Sequence, residues 1–319
     1  MISISIIIPV RNGEATLEKC LSSIASQTIA DSIEVIVLDS MSTDGSKKIA
    51  EKYNARIIDI PNGTFNHGLT RNLAIQYAQG DLLYFTVQDA WLSSADTIER
   101  FIQHFTDEQV MAVVGQQSTP WGDKDKNPYA WFVRYTDPEP EIRFFPDGSF
   151  SKLREDEQFK LINWDNVCAM YRKIALQKIP FRETSFCEDW AWAKDALNAG
   201  FKIIRDPGIV VYHYHHMLFG YAFKTKYIIS YHFFLFFHYL QPIPWSPINF
   251  LKAVYSIGRR KQLSITEKLY WMFHNLNLNL AVFLSVFLFR ISYFLNRNRL
   301  SATTYRLVCH EVPQGKTKK

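Results

Sequence analysis

The chain has 319 residues, 47% of them apolar, which is enough to bury a full core in one large domain or up to two smaller ones. Its four cysteines, Cys20, Cys168, Cys187 and Cys309, show no CxxC and no paired spacing, which speaks against a disulfide framework or a structural zinc site and fits a reducing cytosol. The net charge of +5 is unevenly spread: Gln241 to Lys319 holds twelve Lys/Arg against two Asp/Glu, a balance of +10, while the first 240 residues carry −5.

A basic tail on a mildly acidic body calls for a polyanionic partner. The same tail is rich in Phe, Leu and Trp, so a membrane surface is the expected partner and nucleic acid is not. No charged region precedes the first apolar run and no small-residue cleavage site follows it, so a signal peptide is not expected.

In chain order, Ile4 to Val10 reads as a buried strand closed by the Arg11-Asn12-Gly13 turn, and Leu17, Leu21 and Ile24 give helical spacing within Glu14 to Gln27. A second strand covers Glu34 to Asp39, followed by the cap-rich loop Ser42-Thr43-Asp44-Gly45 and a helix to about Tyr53. A short strand at Arg56 to Ile60 comes next, then a helix capped by Thr64 or Asn66 that runs to Gln79, then a strand at Asp81 to Val87. Strands separated by helices of this length make βαβ units, hence an α/β fold with a mainly parallel sheet covered on both faces. Trp121 to Phe159 breaks the rhythm with mixed Pro, Asp, Gly, aromatic and charged residues, the pattern of a lid or substrate-binding loop. Regular structure resumes at Trp164 to Tyr171, in a helix from about Glu188 to Ala199, and in an extended segment from Phe201 to His213.

Beyond it, Tyr227 to Leu240 and Leu276 to Leu295 are strongly apolar. The longer stretch is interrupted by Asn277, Asn279 and Arg290, so an in-plane amphipathic helix with Arg and aromatic anchors is expected rather than a spanning one. A helical subdomain packed on the core is the competing account. The expected division is a catalytic domain over residues 1–215, with a donor half to about 115 and an acceptor half from 116, and a helical extension over residues 216–319.

Ligands of open α/β sheets bind at the carboxyl ends of the strands, which selects Pro9-Val10-Arg11-Asn12, Asp39-Ser40, Gln88-Asp89-Ala90 and Glu188-Asp189. No GxGxxG follows the first strand and no GxxxxGK[ST] occurs, which speaks against nicotinamide, flavin or P-loop chemistry. Ile-Ile-Ile-Pro-Val-Arg-Asn-Gly (residues 6–13) and Val-Ile-Val-Leu-Asp-Ser-Met-Ser-Thr-Asp-Gly-Ser (residues 35–46) resemble family 2 glycosyltransferases of the GT-A fold. Phe65-Asn66-His67-Gly68-Leu69-Thr70-Arg71-Asn72, Gln88-Asp89-Ala90 and Gly115-Gln116-Gln117 are similar to its bacterial rhamnosyltransferase branch. The resemblance covers roughly residues 1–215.

It implies an inverting, metal-dependent transferase that takes a sugar from a nucleoside diphosphate. L-Rhamnose from dTDP-rhamnose is the leading donor, with UDP-galactofuranose or a UDP-hexose as alternatives and a non-catalytic nucleotide-sugar scaffold as the reading from another class. Asp39 at a strand end can accept the N3–H of uracil or thymine, and Asp44 caps the next helix or lies near the ribose. Arg71 offers a planar fork to a diphosphate or makes an ordinary salt bridge, and Asn66 and His67 stand at a helix start that favours anions. Pro9, Arg11 and Gln88 complete the donor set. The family carries a D-x-D where this chain reads Val87-Gln88-Asp89, so Asp89 alone is left to hold Mg2+ or Mn2+, with His213 resembling the distal ligand. Asp189 in the "E-D" motif is the expected general base. Glu188, Trp190 and Trp192, with Trp121 and Trp131, are candidates for the acceptor, a glycan hydroxyl carried on a polyprenyl diphosphate at the inner leaflet of the membrane.

Overall fold

A computed structural model describes residues 3–61, 63–119, 139–184, 186–244 and 247–309. By its internal contacts the chain divides after Tyr214 into an α/β unit and a helical unit.

The opening rhythm forms β1 (Ile4–Val10), α1 (Leu17–Ala25), β2 (Ile33–Asp39), α2 (Ser46–Lys52), β3 (Arg56–Asp59), α3 (His67–Tyr77) and β4 (Leu82–Phe85). Leu17, Cys20, Leu21 and Ile24 recur at helical spacing, and all four are buried. The expected strands and helices are present, each trimmed by a few residues at its ends. Then follow β5 (Ala90–Leu92), α4 (Thr97–His104), β6 (Val110–Ser118), β7 (Glu141–Arg143), α5 (Glu155–Leu161), β8 (Ala169–Arg172), α6 (Lys173–Lys178), α7 (Glu188–Asn198) and β9 (Lys202–His213).

The strands make one mixed sheet in the order β3-β2-β1-β4-β8-β6-β9-β5, with β7 on β9. β3, β2, β1 and β4 are mutually parallel, whereas β8 runs antiparallel between β4 and β6. β1 and β4 are adjacent although two βα units separate them in sequence. The strand order reverses there, and the reversal opens a crevice at their carboxyl ends.

An aliphatic core including Ile6, Ile8, Leu17, Leu21, Ile98 and Phe101 fills one side of the sheet. Elsewhere Phe85, Tyr171, Phe181 and Trp192 form an aromatic cluster, with the Tyr171 and Trp192 rings edge to face at 4.7 Å.

Two expectations are corrected. The Trp121 to Phe159 stretch is not without regular structure: residues 120–138 lie outside those described, but β7, a 3-10 turn at Ser149–Lys152 and α5 fall in its second half. β7 escapes a hydropathy reading because it buries a charge. The Arg143 guanidinium donates to the carbonyls of Leu161 (2.5 Å) and Asn163 (3.3 Å) and pairs with Glu141. The regular part of Trp164 to Tyr171 is only β8.

The helical unit holds α8 (Phe219–Phe237), α9 (Pro247–Gly258), α10 (Ile265–Leu295) and α11 (Ala302–Cys309). The apolar stretch expected at Leu276 to Leu295 is the second part of α10. That helix is opened by a capping box between Ser264 and Glu267, and it has 31 residues, about 46 Å at 1.5 Å per residue. Its polar interruptions are absorbed locally: Asn275 and Asn279 donate to carbonyls four residues back, and Arg290 donates to the Gln241 carbonyl at 2.8 Å. Trp271, His274, Ala281, Ser285 and Phe289 are buried. Leu269, Phe273, Leu276, Leu280, Leu284, Phe287, Ile291 and Phe294 form an exposed stripe at three- and four-residue steps. Among the described residues α10 is the one helix long and apolar enough to cross a membrane.

Gly68 is set by close approach of another backbone. A Cβ on Gly68, in the first turn of α3, would lie 1.9 Å from the Arg182 carbonyl oxygen. Backbone cannot swing aside as a side chain can, so Gly68→Ala is expected to lower stability by about 1–3 kcal/mol in urea denaturation followed by tryptophan fluorescence. Wild-type stability would mean that α3 is free to shift.

Candidate active site

At the crevice between β1 and β4 the chain turns out of β1 through Arg11 and Asn12, the latter left-handed at φ 49°. Asn12 tolerates that backbone, and its side chain accepts the Thr43 N–H at 2.9 Å. The Gln88 amide spans the crevice: its Oε1 accepts the Arg11 N–H (2.8 Å) and its Nε2 donates to the Arg11 carbonyl (3.3 Å). Gly13 makes room for it, since a Cβ there would meet Gln88 Oε1 at 2.7 Å. Gln88 therefore braces the loop that leaves β1.

Asp39 ends β2 with a fully buried side chain. Its Oδ2 accepts the Ser42 N–H at 3.0 Å, with the Lys47 ammonium 3.6 Å away, while Oδ1 is buried without a hydrogen-bond partner among the described residues. A buried acceptor left unmade is costly, so the atom is suited to a donor brought by a ligand. Asp44 accepts the N–H groups of Ser46 and Glu14, each at 3.0 Å, so it caps α2 and ties the β1 loop to it. The hydrogen bond from the Ser46 hydroxyl holds its carboxyl below the usual range. The Arg11 side chain is exposed. Pro9 is half-buried inside β1 opposite Leu38.

The second group of residues gathers where α3, α7 and the turn before β8 meet. Asn66 caps α3 through Oδ1, which accepts from Gly68 and Leu69, both at 3.1 Å. Arg71, one turn on, forms an ion pair with Glu188 Oε1 at 2.9 Å, and the same nitrogen contacts His67 Nδ1 (3.1 Å) and donates to the His67 carbonyl (3.2 Å). An arginine can only donate, so His67 Nδ1 accepts and the proton of a neutral ring lies on Nε2. The side chains of Arg71 and Glu188 are only 4% and 6% exposed. Arg71 is thus a buried ion-pair partner of Glu188, the salt-bridge reading of the sequence, here made in the interior and not at the surface.

Asp189, the next residue, takes the other direction. Its oxygens accept the N–H of Trp190 (2.8 Å) and of Asn166 (3.3 Å). Burial, then the neighbouring Glu188 and Asp165 carboxylates, push Asp189 well above the usual carboxylate range. Burial also opposes ionisation of Glu188, but Arg71 and then His67 outweigh it and hold Glu188 below that range. Two adjacent carboxyls are so driven apart, one kept charged and one poised to hold a proton.

Asp89 and His213 are brought together by β5, which pairs Ala90 with His213. His213 Nε2 lies 3.3 Å from Asp89 Oδ1. A carboxylate with an imidazole suits Mn2+ better than Mg2+, which takes oxygen ligands.

The remaining acceptor candidates divide. Trp190 is half-buried and meets Phe159 at 5.1 Å. Trp192 is fully buried and donates from its indole to the Ile179 carbonyl at 2.8 Å, so it is core and not an acceptor platform. Its spacing from Glu188 and Ala196, four residues on either side, is the signal that places it inward. Trp121 and Trp131 lie outside the described residues. Asp165 and Asn166 carry no motif and come from a turn, so they were missed in the sequence, and Gln117 entered only as part of Gly115-Gln116-Gln117, without its inward role.

Glycosyl transferase family 2 matches residues 5–180. The chain is 32% identical over 219 residues to the O-antigen chain rhamnosyltransferase RfbN of Salmonella typhimurium, covering 66% of each chain. To the O-antigen chain rhamnosyltransferase WbaN of Salmonella anatum it is 32% identical, covering 67% of each, so the match spans about two thirds of these relatives. Among solved structures it resembles S. aureus TarS 1-349, with a TM-score of 0.54 at 18% identity, over 99% of this chain and 93% of that one. It also resembles the mannosyltransferase PcManGT from Pyrobaculum calidifontis in complex with GDP-Man and Mn2+, with a TM-score of 0.53 at 16% identity over 97% and 79%. The sheet carries the GT-A fold of these structures, and the chain belongs to glycosyl transferase family 2.

Proposed function

We propose that the chain is an inverting transferase that moves L-rhamnose from dTDP-L-rhamnose to a hydroxyl of a growing cell-surface glycan carried on a polyprenyl diphosphate lipid. The observation that carries this reading is Asp189, a carboxylate steadied by two backbone N–H groups and driven by its surroundings to take up a proton. Asp189 removes the acceptor proton as the acceptor oxygen bonds to the anomeric carbon and the bond to the diphosphate breaks on the opposite face. Asp39 Oδ1, buried and unpartnered, accepts the N3–H of the pyrimidine, and the exposed Arg11 meets the phosphates. Asp89 and His213 would hold Mn2+, which would neutralise charge on the departing diphosphate. The two O-antigen rhamnosyltransferases at 32% identity support the choice of sugar. Arg71 and Glu188 position this machinery rather than touching the donor.

The exposed apolar stripe of α10 and the basic residues Arg297, Arg299 and Arg306 after it support a cytoplasmic, membrane-surface location for the catalyst.

Asp189→Asn is expected to lower turnover of labelled dTDP-rhamnose by about 10²–10⁴-fold while leaving donor affinity unchanged. Unchanged turnover would favour a non-catalytic nucleotide-sugar scaffold. Because Asp189 acts deprotonated and its pKa is raised, the acid limb of kcat/KM should lie above the ordinary aspartate value of about 3.9. Asp39→Asn should weaken UDP and dTDP binding about tenfold or more in calorimetry, and equal affinity would remove its base-reading role. Thermal shifts across a panel of nucleotide sugars separate rhamnose from galactofuranose or a hexose. The full chain should co-sediment with anionic liposomes, less so as salt rises; retention at high salt with neutral lipid alone would point to the apolar stripe acting without the basic residues.

A further inference from the structure

We propose that Gln117 and Asp165 are positioning residues that hold the His213 ring as its Nδ1–H tautomer, leaving the Nε2 lone pair toward Asp89 for a divalent cation. The inference rests on reading Asp89 and His213 as cation ligands, and it adds a support built from residues that touch neither donor nor acceptor.

The β6–β9 ladder supplies the placement. After a first register shift between Val110 and Ala112 it is regular to Val114 opposite Arg205, breaks a second time, and resumes with Gln116 opposite Val210 and Gln117 opposite Val211. The break coincides with Asp206-Pro207-Gly208, where proline removes a ladder donor and the Asp206 side chain accepts the Gly208 N–H at 2.7 Å. Gly115 lies at the same point because a Cβ there would meet the Ile209 carbonyl oxygen at 2.5 Å and Cys168 Sγ at 2.6 Å. An irregularity of this kind re-aims the side chains beyond it.

The hydrogen bonds then admit one assignment. Asp165 accepts the Val167 N–H at Oδ1 (2.9 Å) and the Gln117 amide at Oδ2. With Asp165 ionised neither of its oxygens has a proton to give, so the Gln117 group facing it is Nε2. Gln117 Oε1 is thereby turned to His213 Nδ1, 2.6 Å away. An amide oxygen only accepts, so Nδ1 must carry the proton, and in the neutral ring Nε2 does not. Nε2 is the nitrogen 3.3 Å from Asp89 Oδ1. Histidine ligands of metals are commonly oriented this way from behind, and loss of the support costs about 10–100-fold in affinity.

Two measurements on the full chain test the assignment. In long-range ¹H–¹⁵N spectra of His-labelled protein without metal, His213, identified by its loss in His213→Ala, should show the Nδ1–H tautomer and should change to Nε2–H in Gln117→Leu. An Nε2–H ring in the wild type would overturn the proposal whatever the metal does. Mn2+ binding followed by electron paramagnetic resonance, with UDP and dTDP in separate series, should weaken about 10–100-fold in Gln117→Leu and in Asp165→Asn. It should recover in the double variant Gln117→Glu/Asp165→Asn, which restores an acceptor for Nδ1 and a donor behind it with the charge moved one place along. That recovery also separates positioning from damage to the fold. Wild-type Mn2+ affinity in both single variants, with loss in His213→Ala, would overturn the relay and leave the cation site standing. Wild-type affinity in His213→Ala would remove the site and the relay together.

Discussion

The Arg71–Glu188 ion pair is the constraint on which the catalytic side of the sheet depends. Two charges withdrawn from water are costly, and a buried pair persists only when further hydrogen bonds complete it. Here the completion runs deep: Glu188 Oε1 also accepts Asn166 Nδ2 at 3.1 Å, Asn166 accepts the Tyr171 hydroxyl, and Tyr171 accepts the Trp164 indole N–H at 2.7 Å. The ion pair is thereby anchored in the aromatic cluster, and it joins the first turn of α3 to the first turn of α7. Leaving either charge alone would cost about 3–5 kcal/mol in the general case, so the two helix starts are held in register. Asn72 adds a second tie, exchanging two hydrogen bonds with the Phe181 backbone at 2.8 and 3.0 Å.

The ion pair also explains why adjacent acidic residues behave as opposites. Cys187, which precedes α7, is left-handed at φ 63°, a backbone that costs a non-glycine residue energy and marks a constrained position. Beyond it Glu188 faces Arg71, whereas Asp189 faces the Asn166 and Trp190 N–H groups. Keeping Glu188 ionised makes it a permanent negative neighbour of Asp189. Folding raises the Asp189 pKa, so what its protonated form contributes to stability is present below the unfolded value and is lost as pH rises through the folded one. The fold tolerates that loss at the residue proposed to act as base.

Much of the fold was legible because β1, β2 and β4 are short, apolar and buried on both faces, and α1 repeats its apolar residues at helical steps. The positions of Asp39, Asp189 and His213 were legible for a related reason: each stands at a strand end or helix start. What escaped is the set of contacts that depend on register. β5 has three residues, too few to show a period, yet it delivers Asp89 to His213. Asp165 and Asn166 come from a turn without a motif. Gln117 is visible only as part of the Gly115-Gln116-Gln117 motif, and its inward aim follows from the ladder break. Arg71 looked like an exposed helical cation because helical position alone does not reveal that Glu188, 117 residues later in sequence, lies against it.

Gln88, a neutral residue after β4, spends both ends of its amide on the Arg11 backbone. The crevice therefore presents one negative charge fewer than a carboxylate there would give it, while Arg11 remains exposed at its rim. For an anionic donor this alters the approach more than the chemistry, because the potential met on the way in is less repulsive and its dependence on ionic strength is shallower. A neutral residue at that strand end thus acts on the kinetics of encounter, through a charge that was never placed there.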